Sequence, residues 1–340
     1  MIEKLDRLYD LVRNKRKILV ATHTNPDPDT IASAYAIRHL FSSWGLNSVL
    51  VYGGMIGRAE NKAMINRLRI PLRSIQTVNP FNFKIIALID AQPGAGNDPI
   101  PPSLLPSIVI DHHPARKRSL LKEVPFVDIR PGYGSTSTIL AEYLQESGAE
   151  MTRRVATALY YGIKADTRDL GRDAHEIDVE MSSRLYPKVL LKTLSSIEYP
   201  RLPREYFRII WKALDMTVWY PGKKVLVSEL GFIMDPDMVP VMADFLIRVE
   251  GTKWVLVLGE LDHEVIFSLR TTSHTQGSAD RLSRIMIKAI EGGSAGGHDA
   301  MAAGKVALPP AVRGQEMQEK LKDRFLRKLG CEVPKGVPFL

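Results

Sequence analysis

The sequence predicts a two-domain α/β protein: a doubly wound, mainly parallel sheet in the first half and a smaller α+β domain in the second, joined by a helical connector. Three observations lead there. Apolar runs of strand length recur through the first half, segments of helical spacing separate them, and the order of elements changes after about residue 218. The strands are read at "KILVATH" (17–23), "SVLVY" (48–52), "IIALID" (85–90), "IVIDHH" (108–113) and "VPFVDIR" (124–130). Their near-continuous apolarity is that of strands covered on both faces. Helical spacing over 29–44, 57–68, 134–148 and 152–165 completes the alternating pattern. Ligands of such sheets gather at the carboxyl ends of the strands. Residues 175–215 are helical but interrupted at Pro187, Pro200 and Pro203, which predicts a connector. Beyond it come a strand at 223–231, a helix at 236–249, a hairpin at 254–272 turning near "ELDHE", a helix at 279–290, a glycine-rich loop, the strand "AAGKVAL" and a final helix at 314–329. The expected divisions are 1–175, 176–217 and 218–340.

Composition bounds the function. A chain of 340 residues with 45% hydrophobic and 25% charged residues is globular and long enough for two cores. The single cysteine, Cys331, excludes an internal disulfide and a Cys-rich zinc site, and points to a cytoplasmic protein. The charged, amphipathic start lacks the apolar run of a signal peptide, and no window reaches the ~18 apolar residues of a membrane span. A net charge of +8 suits a polyanionic partner such as a nucleotide or nucleic acid.

The stretch "ATHTNPDPDT" (21–30) holds His23, Asp27 and Asp29, with a proline before each aspartate. Pro26 and Pro28 are expected to keep Asn25 and Asp27 extended, because a residue before proline is steered out of the helical region. A structural alternative is that Asp29 caps the following helix and Asp27 is solvated. Other strand ends weigh against that alternative: Asp90 ends the third strand, Asp111, His112 and His113 end the fourth, and Asp166 closes a helical pattern. Clustered carboxylates repel one another, so a bound cation is their natural counter-charge. Carboxylate and imidazole without thiolate favour Mn²⁺ or Mg²⁺, with Zn²⁺, Fe²⁺ or Co²⁺ open, and six candidate ligands suit two ions.

The segments "HTNPDPDTIAS", "IDAQPG", "DHHP" and "GIKADT" resemble the four successive motifs of the DHH phosphoesterases, and "SLRTTS" and "GGSAGGHDAMAAG" are similar to the DHH-associated substrate-binding domain. The short members, of oligoribonuclease (nanoRNase) and 3'-phosphoadenosine-5'-phosphate phosphatase type, resemble it most. The resemblance implies His23 and Asp27 on one metal, Asp29, His112 and Asp166 on the other, Asp90 between them, Asp111 as an orienting residue and His113 against the phosphate. In this chemistry paired divalent ions activate water, align it for in-line attack on phosphorus and stabilise the leaving oxygen. Arg270, Gly296, Gly297 and His298 would hold a terminal part of the substrate, the glycines by letting backbone amides approach a phosphate.

This implies a metal-dependent phosphodiesterase that trims short RNA or DNA oligonucleotides, or acts on nucleotide phosphates, without a membrane; a homodimer stays open. A phosphodiesterase of linear or cyclic dinucleotides, a pyrophosphatase or exopolyphosphatase, and a non-catalytic nucleic-acid-binding module are the alternatives. The chain departs from the family pattern at Ala32, at Arg168, a cation where a small residue is common, and in the length of "GGSAGGHD". His39, His175, His263, His274 and Cys331 have no interpretable partner spacing, the run "RNKRK" is read as a solvated face, and the four tryptophans are read chiefly as packing residues, with base stacking open for one.

Overall fold

In the computed structural model of the protein, the described residues are 2–15, 17–273, 278–297, 299–309, 312–331 and 336–340. The chain divides into two compact units, Met1–Pro200 and Arg201–Leu340. The helices expected as a connector are therefore shared between the units.

The first unit runs α1 (Ile2–Val12), β1 (Ile18–Thr24), α2 (Pro28–Ser43), β2 (Ser48–Gly53), α3 (Ala59–Leu68), β3 (Leu72–Ser74), β4 (Ile85–Ile89), β5 (Ile108–Asp111), α4 (Arg118–Leu121), β6 (Phe126–Ile129), α5 (Thr136–Glu146), α6 (Arg153–Asp166), α7 (Glu176–Leu185) and α8 (Leu191–Glu198). All six strands pair in parallel, in the order β3-β2-β1-β4-β5-β6. Only β3 lies outside the predicted strands, because "LRS" carries no apolar run.

Strand alternation explains the continuous apolarity. Ile18 and Val20 of β1 and Ile85, Ala87 and Ile89 of β4 join the core formed with Ile37, Leu40 and Phe41 of α2. Leu19, Ala21, Ile86 and Leu88 join the opposite core, beneath Ile100, Leu121 and Val124. Each fully buried Val, Leu, Ile or Phe side chain contributes roughly 1.5–3 kcal/mol, so the strands are firmly anchored. The winding direction reverses between β1 and β4, which opens a crevice at their carboxyl ends. His23 and Asp90 sit at those two ends.

The second unit runs α9 (Arg204–Asp215), β7 (Thr217–Tyr220), β8 (Val225–Phe232), α10 (Met238–Leu246), β9 (Trp254–Leu261), β10 (Glu264–Thr271), α11 (Ser278–Ile287), β11 (Gly293–Gly297), β12 (Met301–Ala307), α12 (Gly314–Lys328) and β13 (Val337–Pro338). Its mixed sheet has the order β11-β12-β10-β9-β8-β7-β13, with β8 and β9 its parallel pair. The β9–β10 hairpin turns at Asp262 (φ 50°), within the predicted stretch. The glycine-rich segment, predicted as a loop, is the strand β11, paired with β12 through Gly297↔Ala302. A Cβ on Gly297 would stand 2.3 Å from the Met301 carbonyl and 2.4 Å from Ala302 Cα, so only glycine permits the pairing. Glycines carry no hydrophobic period, which is why the strand is invisible in sequence. Among the described residues no helix is long and apolar enough to cross a membrane.

Candidate metal centre

The loop after β1 is shaped by its own side chains. Asn25 is left-handed (φ 57°), not extended as expected. Its amide donates to Gly53 O (3.0 Å) and its Oδ1 accepts from Met55 N (2.8 Å), a local bonding that makes asparagine tolerant of this conformation. A Cβ on Gly54 (φ 67°) would lie 2.1 Å from Asn25 Oδ1, so the turn needs glycine there. Asp27 is extended (φ −91°, ψ 179°) and is itself the cap of α2, accepting from Thr30 N at 3.0 Å, with Pro28 in the first turn. Asp29 is thereby released from capping. It is buried, and its two oxygens accept the backbone amides of Thr136 and Ser137, both at 2.8 Å, at the start of α5.

Asp90 follows β4 in the left-handed region (φ 57°), a backbone cost of about 1 kcal/mol or more of the kind found at functional sites. Its amide donates to Ile110 O (2.8 Å), and its Oδ1 accepts from the Thr136 hydroxyl (2.8 Å). Asp111, at the end of β5, accepts at Oδ1 from His113 N (3.0 Å) and His113 Nδ1 (2.9 Å), and at Oδ2 from Gln92 Nε2 (2.7 Å). It orients His113 and the loop that bears it.

These strand ends converge. His23 Nε2 is 3.7 Å from Asp27 Oδ2 and 3.7 Å from Asp90 Oδ2. His112 Nε2 is 3.3 Å from Asp166 Oδ2 and 3.7 Å from Asp90 Oδ1, and His113 Nδ1 is 3.6 Å from Asp90 Oδ1. Three groups have ligand atoms within 4.8 Å of one another: His23, Asp27 and Asp90; Asp29, His112 and Asp166; and Asp90, His112 and His113. Asp90 and His112 link the groups.

The histidine nitrogens show what the cluster suits. His112 Nδ1 lies 3.1 Å from Tyr133 O and His23 Nδ1 lies 2.9 Å from Thr24 O. A carbonyl only accepts, so each Nδ1 carries a proton, which leaves each Nε2, facing carboxylates, as the atom that can ligate a metal. His112 Nε2 is buried without a hydrogen-bond partner. A divalent cation satisfies that atom and the surrounding carboxylates together, and the donor set of imidazole and carboxylate suits Mn²⁺ or Mg²⁺.

Charge crowding is equally plain in the polypeptide alone. Burial pushes Asp29 and Asp90 above the usual carboxylate range; neighbouring Asp90, Asp166 and Asp27 push Asp29 further, while His113 and His112 restrain Asp90. Burial and the charge of Asp27 raise Asp166 to about 7 against the restraint of His112. Burial alone would depress His23, but attraction to Asp27 and Asp90 outweighs it and lifts the ring to about 9. Asp111 and Asp90 do the same for His113, lifting it to about 10, and in return His113 outweighs burial and holds Asp111 low. Asp27 is likewise held low, burial being outweighed by His23 and the Thr30 amide.

Other predicted site residues are placed differently. Arg270 is buried and donates to Asp244 (2.6 Å and 3.4 Å), Ser268 Oγ (2.7 Å) and Leu269 O (2.9 Å). Gly297 N donates to Asp280 Oδ1 (3.0 Å), and Gly296 sits beside it in β11, so these two glycines build a strand. His298 and His274 lie outside the described residues. Arg168 (φ 48°) opens a run of left-handed residues, 168–170, directly after Asp166 and Thr167. Trp44 packs on Tyr9 and Trp254 on Phe325, whereas Trp211 is 68% exposed and is not a packing residue. Thr136 and Gln92, which fix Asp29, Asp90 and Asp111, went unread in the sequence. The run "GSTST" signals a helix start, but nothing in it reveals contacts with residues 46 and 107 positions away.

A parallel sheet gathers imidazoles and carboxylates at its switch point, as a metal centre requires, and a mixed-sheet unit follows it in the chain. The chain belongs to the DHH phosphoesterase superfamily: residues 17–163 match the DHH family, N-terminal domain, and residues 222–328 match the DHHA1 domain. It is 36% identical over 323 residues to an uncharacterized protein of Methanocaldococcus jannaschii, covering 94% of this chain and 64% of that protein's length. Its fold is similar to that of an exopolyphosphatase-related protein from Bacteroides fragilis, with a TM-score of 0.76 at 14% identity over 97% of each chain. It is also similar to the DHH domain of a member of a ribosomal-protein family, with a TM-score of 0.50 at 11% identity over 98% of this chain and 92% of that one.

Proposed function

We propose that this chain is a divalent-metal-dependent phosphodiesterase that shortens small oligonucleotides from an end, with 3'-phosphoadenosine-5'-phosphate as a further substrate of the same site. The observation that carries the metal-dependent chemistry is the buried, unpartnered His112 Nε2 between Asp166 and Asp90. His23 and Asp27 would hold one ion and Asp29, His112 and Asp166 the other, with Asp90 shared; Mn²⁺ is the first choice. Bound there, the ions supply the positive charge that activates water and stabilises the leaving oxygen. The chain supplies the rest. Thr136 and Ser137 hold the carboxylates in place, and the imidazolium of His113, kept positive by Asp111, offers charge to a phosphoryl oxygen. Hydrolysis adds water across one P–O bond, the hydroxyl going to phosphorus and the proton to the leaving oxygen. The DHHA1 match and the net charge of +8 support a nucleotide polyanion as substrate.

The test is a time course with Mn²⁺ on labelled RNA of two to five residues and of about twenty-four, on 3'-phosphoadenosine-5'-phosphate, and on pyrophosphate and polyphosphate, with Asp90→Ala in parallel. Rapid loss of the short RNAs by wild type alone supports the reading. Release of phosphate from pyrophosphate or polyphosphate, with the RNAs intact, overturns it.

A further inference from the structure

Beside β6, an edge strand of the sheet, is a groove of about 450 Å³ lined by Lys4, Arg118, Leu121, Lys122, Val127 and Ile129, among others. That volume is in the ~300–1,000 Å³ range of small-molecule sites. Its walls are of two kinds: Leu121, Val127 and Ile129 are apolar, while Arg118 and Lys122 are exposed cations. Lys4 is engaged with Asp128 (2.5 Å) and takes that carboxylate's charge out of the balance.

The groove belongs to the same edge of the sheet as the metal centre. Ile129 is the register partner of Asp111, and Arg130 N donates to Asp111 O at 2.9 Å. Ala115, which lines the groove, is two residues beyond His113. Gln92, buried at 2% exposure, pins the connecting loop: its Nε2 donates to Asp111 Oδ2, and its Oε1 accepts from Arg116 N at 2.6 Å. The loop then presents Arg116, Lys117, Arg118 and Lys122, all exposed. Among the described residues none of these four is paired with a carboxylate. Lys117 is left-handed (φ 38°), and its Nζ would be 2.9 Å from a Cβ on Gly94, so it reaches back over the loop that carries Asp90. A fixed loop that concentrates unpaired cations beside a phosphoester site attracts phosphate.

We propose that this groove is a second nucleotide subsite: it takes the unit next to the scissile phosphate, its base or sugar against Leu121, Val127 and Ile129 and its phosphate on Arg118 and Lys122. The proposal rests on the oligonucleotide reading above and assigns a place to the non-scissile part of the substrate. It makes the groove the origin of a preference for substrates with more than one phosphate.

The test compares wild type, the double variant Arg118→Ala with Lys122→Ala, and a control, Lys320→Ala with Lys328→Ala, which removes two exposed charges from α12. Substrates are a pentaribonucleotide and bis-p-nitrophenyl phosphate, a diester with no neighbouring phosphate. Binding of a fluorescein-labelled pentaribonucleotide is read separately by anisotropy with a chelator present, so that turnover plays no part. The groove variant is expected to raise KM for the pentaribonucleotide and Kd by anisotropy about tenfold, with kcat within about twofold, as loss of two phosphate-binding cations implies. Its kcat/KM for bis-p-nitrophenyl phosphate should equal that of wild type, and the slope of log Kd against log salt should flatten by ~0.7 for each phosphate that no longer meets a cation. Equal losses on both substrates, equal losses in the control, or an unchanged KM and Kd would overturn the subsite. If wild type hydrolyses neither substrate, the phosphodiesterase reading falls, and the anisotropy comparison alone decides the groove.

Discussion

The carboxyl edge of the first sheet and the glycine-rich strand of the second unit both drew attention as functional, and they differ in how their polar groups are satisfied. In β11 the Gly297 amide is taken by Asp280, and in the neighbouring β10 the Arg270 guanidinium is taken by Asp244, Ser268 and Leu269. At the first edge, four carboxylates and two imidazole Nε2 atoms crowd together, and burial lifts Asp29, Asp90 and Asp166 toward their neutral forms. Buried polar groups that satisfy one another are architecture; buried charges that need a further ion are a site. The comparison predicts that substitution of Asp90 acts on chemistry and substitution of Gly297 on packing.

Substitution can break that division. Asp90→Ala should lower Mn²⁺-dependent hydrolysis by at least about a hundredfold in a steady-state assay, since even partners one step removed from a metal cost 10–100-fold. A chelator should abolish turnover in wild type, and added Mn²⁺ should restore it. Gly297→Ala should destabilise the chain by roughly 1–3 kcal/mol through overpacking against Met301 and Ala302, seen as a lower Tm, with Mn²⁺ affinity unchanged. Loss of metal binding in Gly297→Ala, with Tm unchanged, would reverse the roles of the two regions. Thr136→Val removes the hydroxyl held by Asp90 but keeps the amide held by Asp29, so calorimetry should show Mn²⁺ binding weakened about tenfold.

The smallest effect is in pH. Raised carboxyls favour the folded state most when protonated: the contributions of Asp29, Asp90 and Asp166 are complete below their ordinary value of 3.8, and that of Asp166 is lost as pH rises through about 7. The contributions of His23 and His113 are complete below 6.5 and are lost as pH rises through about 9 and about 10. Asp27 and Asp111, held low, act in the opposite sense only as pH falls below 3.8. With a chelator present, Tm should therefore fall between about pH 5 and pH 9, and the Tm gained on adding Mn²⁺ should grow over the same interval, because the ion binds the deprotonated ligands. A gain that shrinks with pH would show that the ion binds elsewhere.

Much of the first unit was legible because five of its six strands are apolar runs, and β1, β4 and β5 end in residues of distinct chemistry. His23, Asp90 and His112 stand at strand ends, and the parallel order carries those ends to one edge. What stayed hidden depends on contacts between distant segments. Whether Asp27 or Asp29 caps α2 is decided by the amides of Thr136 and Ser137, more than a hundred positions away. Asn25 escaped the extended conformation expected before proline because its side chain is bound by Met55. The glycines at 296–297 read as a phosphate cradle, and backbone pairing made them a strand. Arg270 read as a donor to the substrate, and nothing in "SLRTTS" shows that Asp244 lies beside it.

The cluster around Asp90 and His112 is expected to bind divalent ions jointly. The most direct measurement is the metal content of wild type, Asp90→Ala and His112→Ala after equilibration with Mn²⁺ and removal of free ion. Wild type should retain about two ions per chain, Asp90→Ala should lose tight binding of both, and His112→Ala should keep about one. Wild-type protein without bound metal, or variants that keep the full complement, would contradict joint binding.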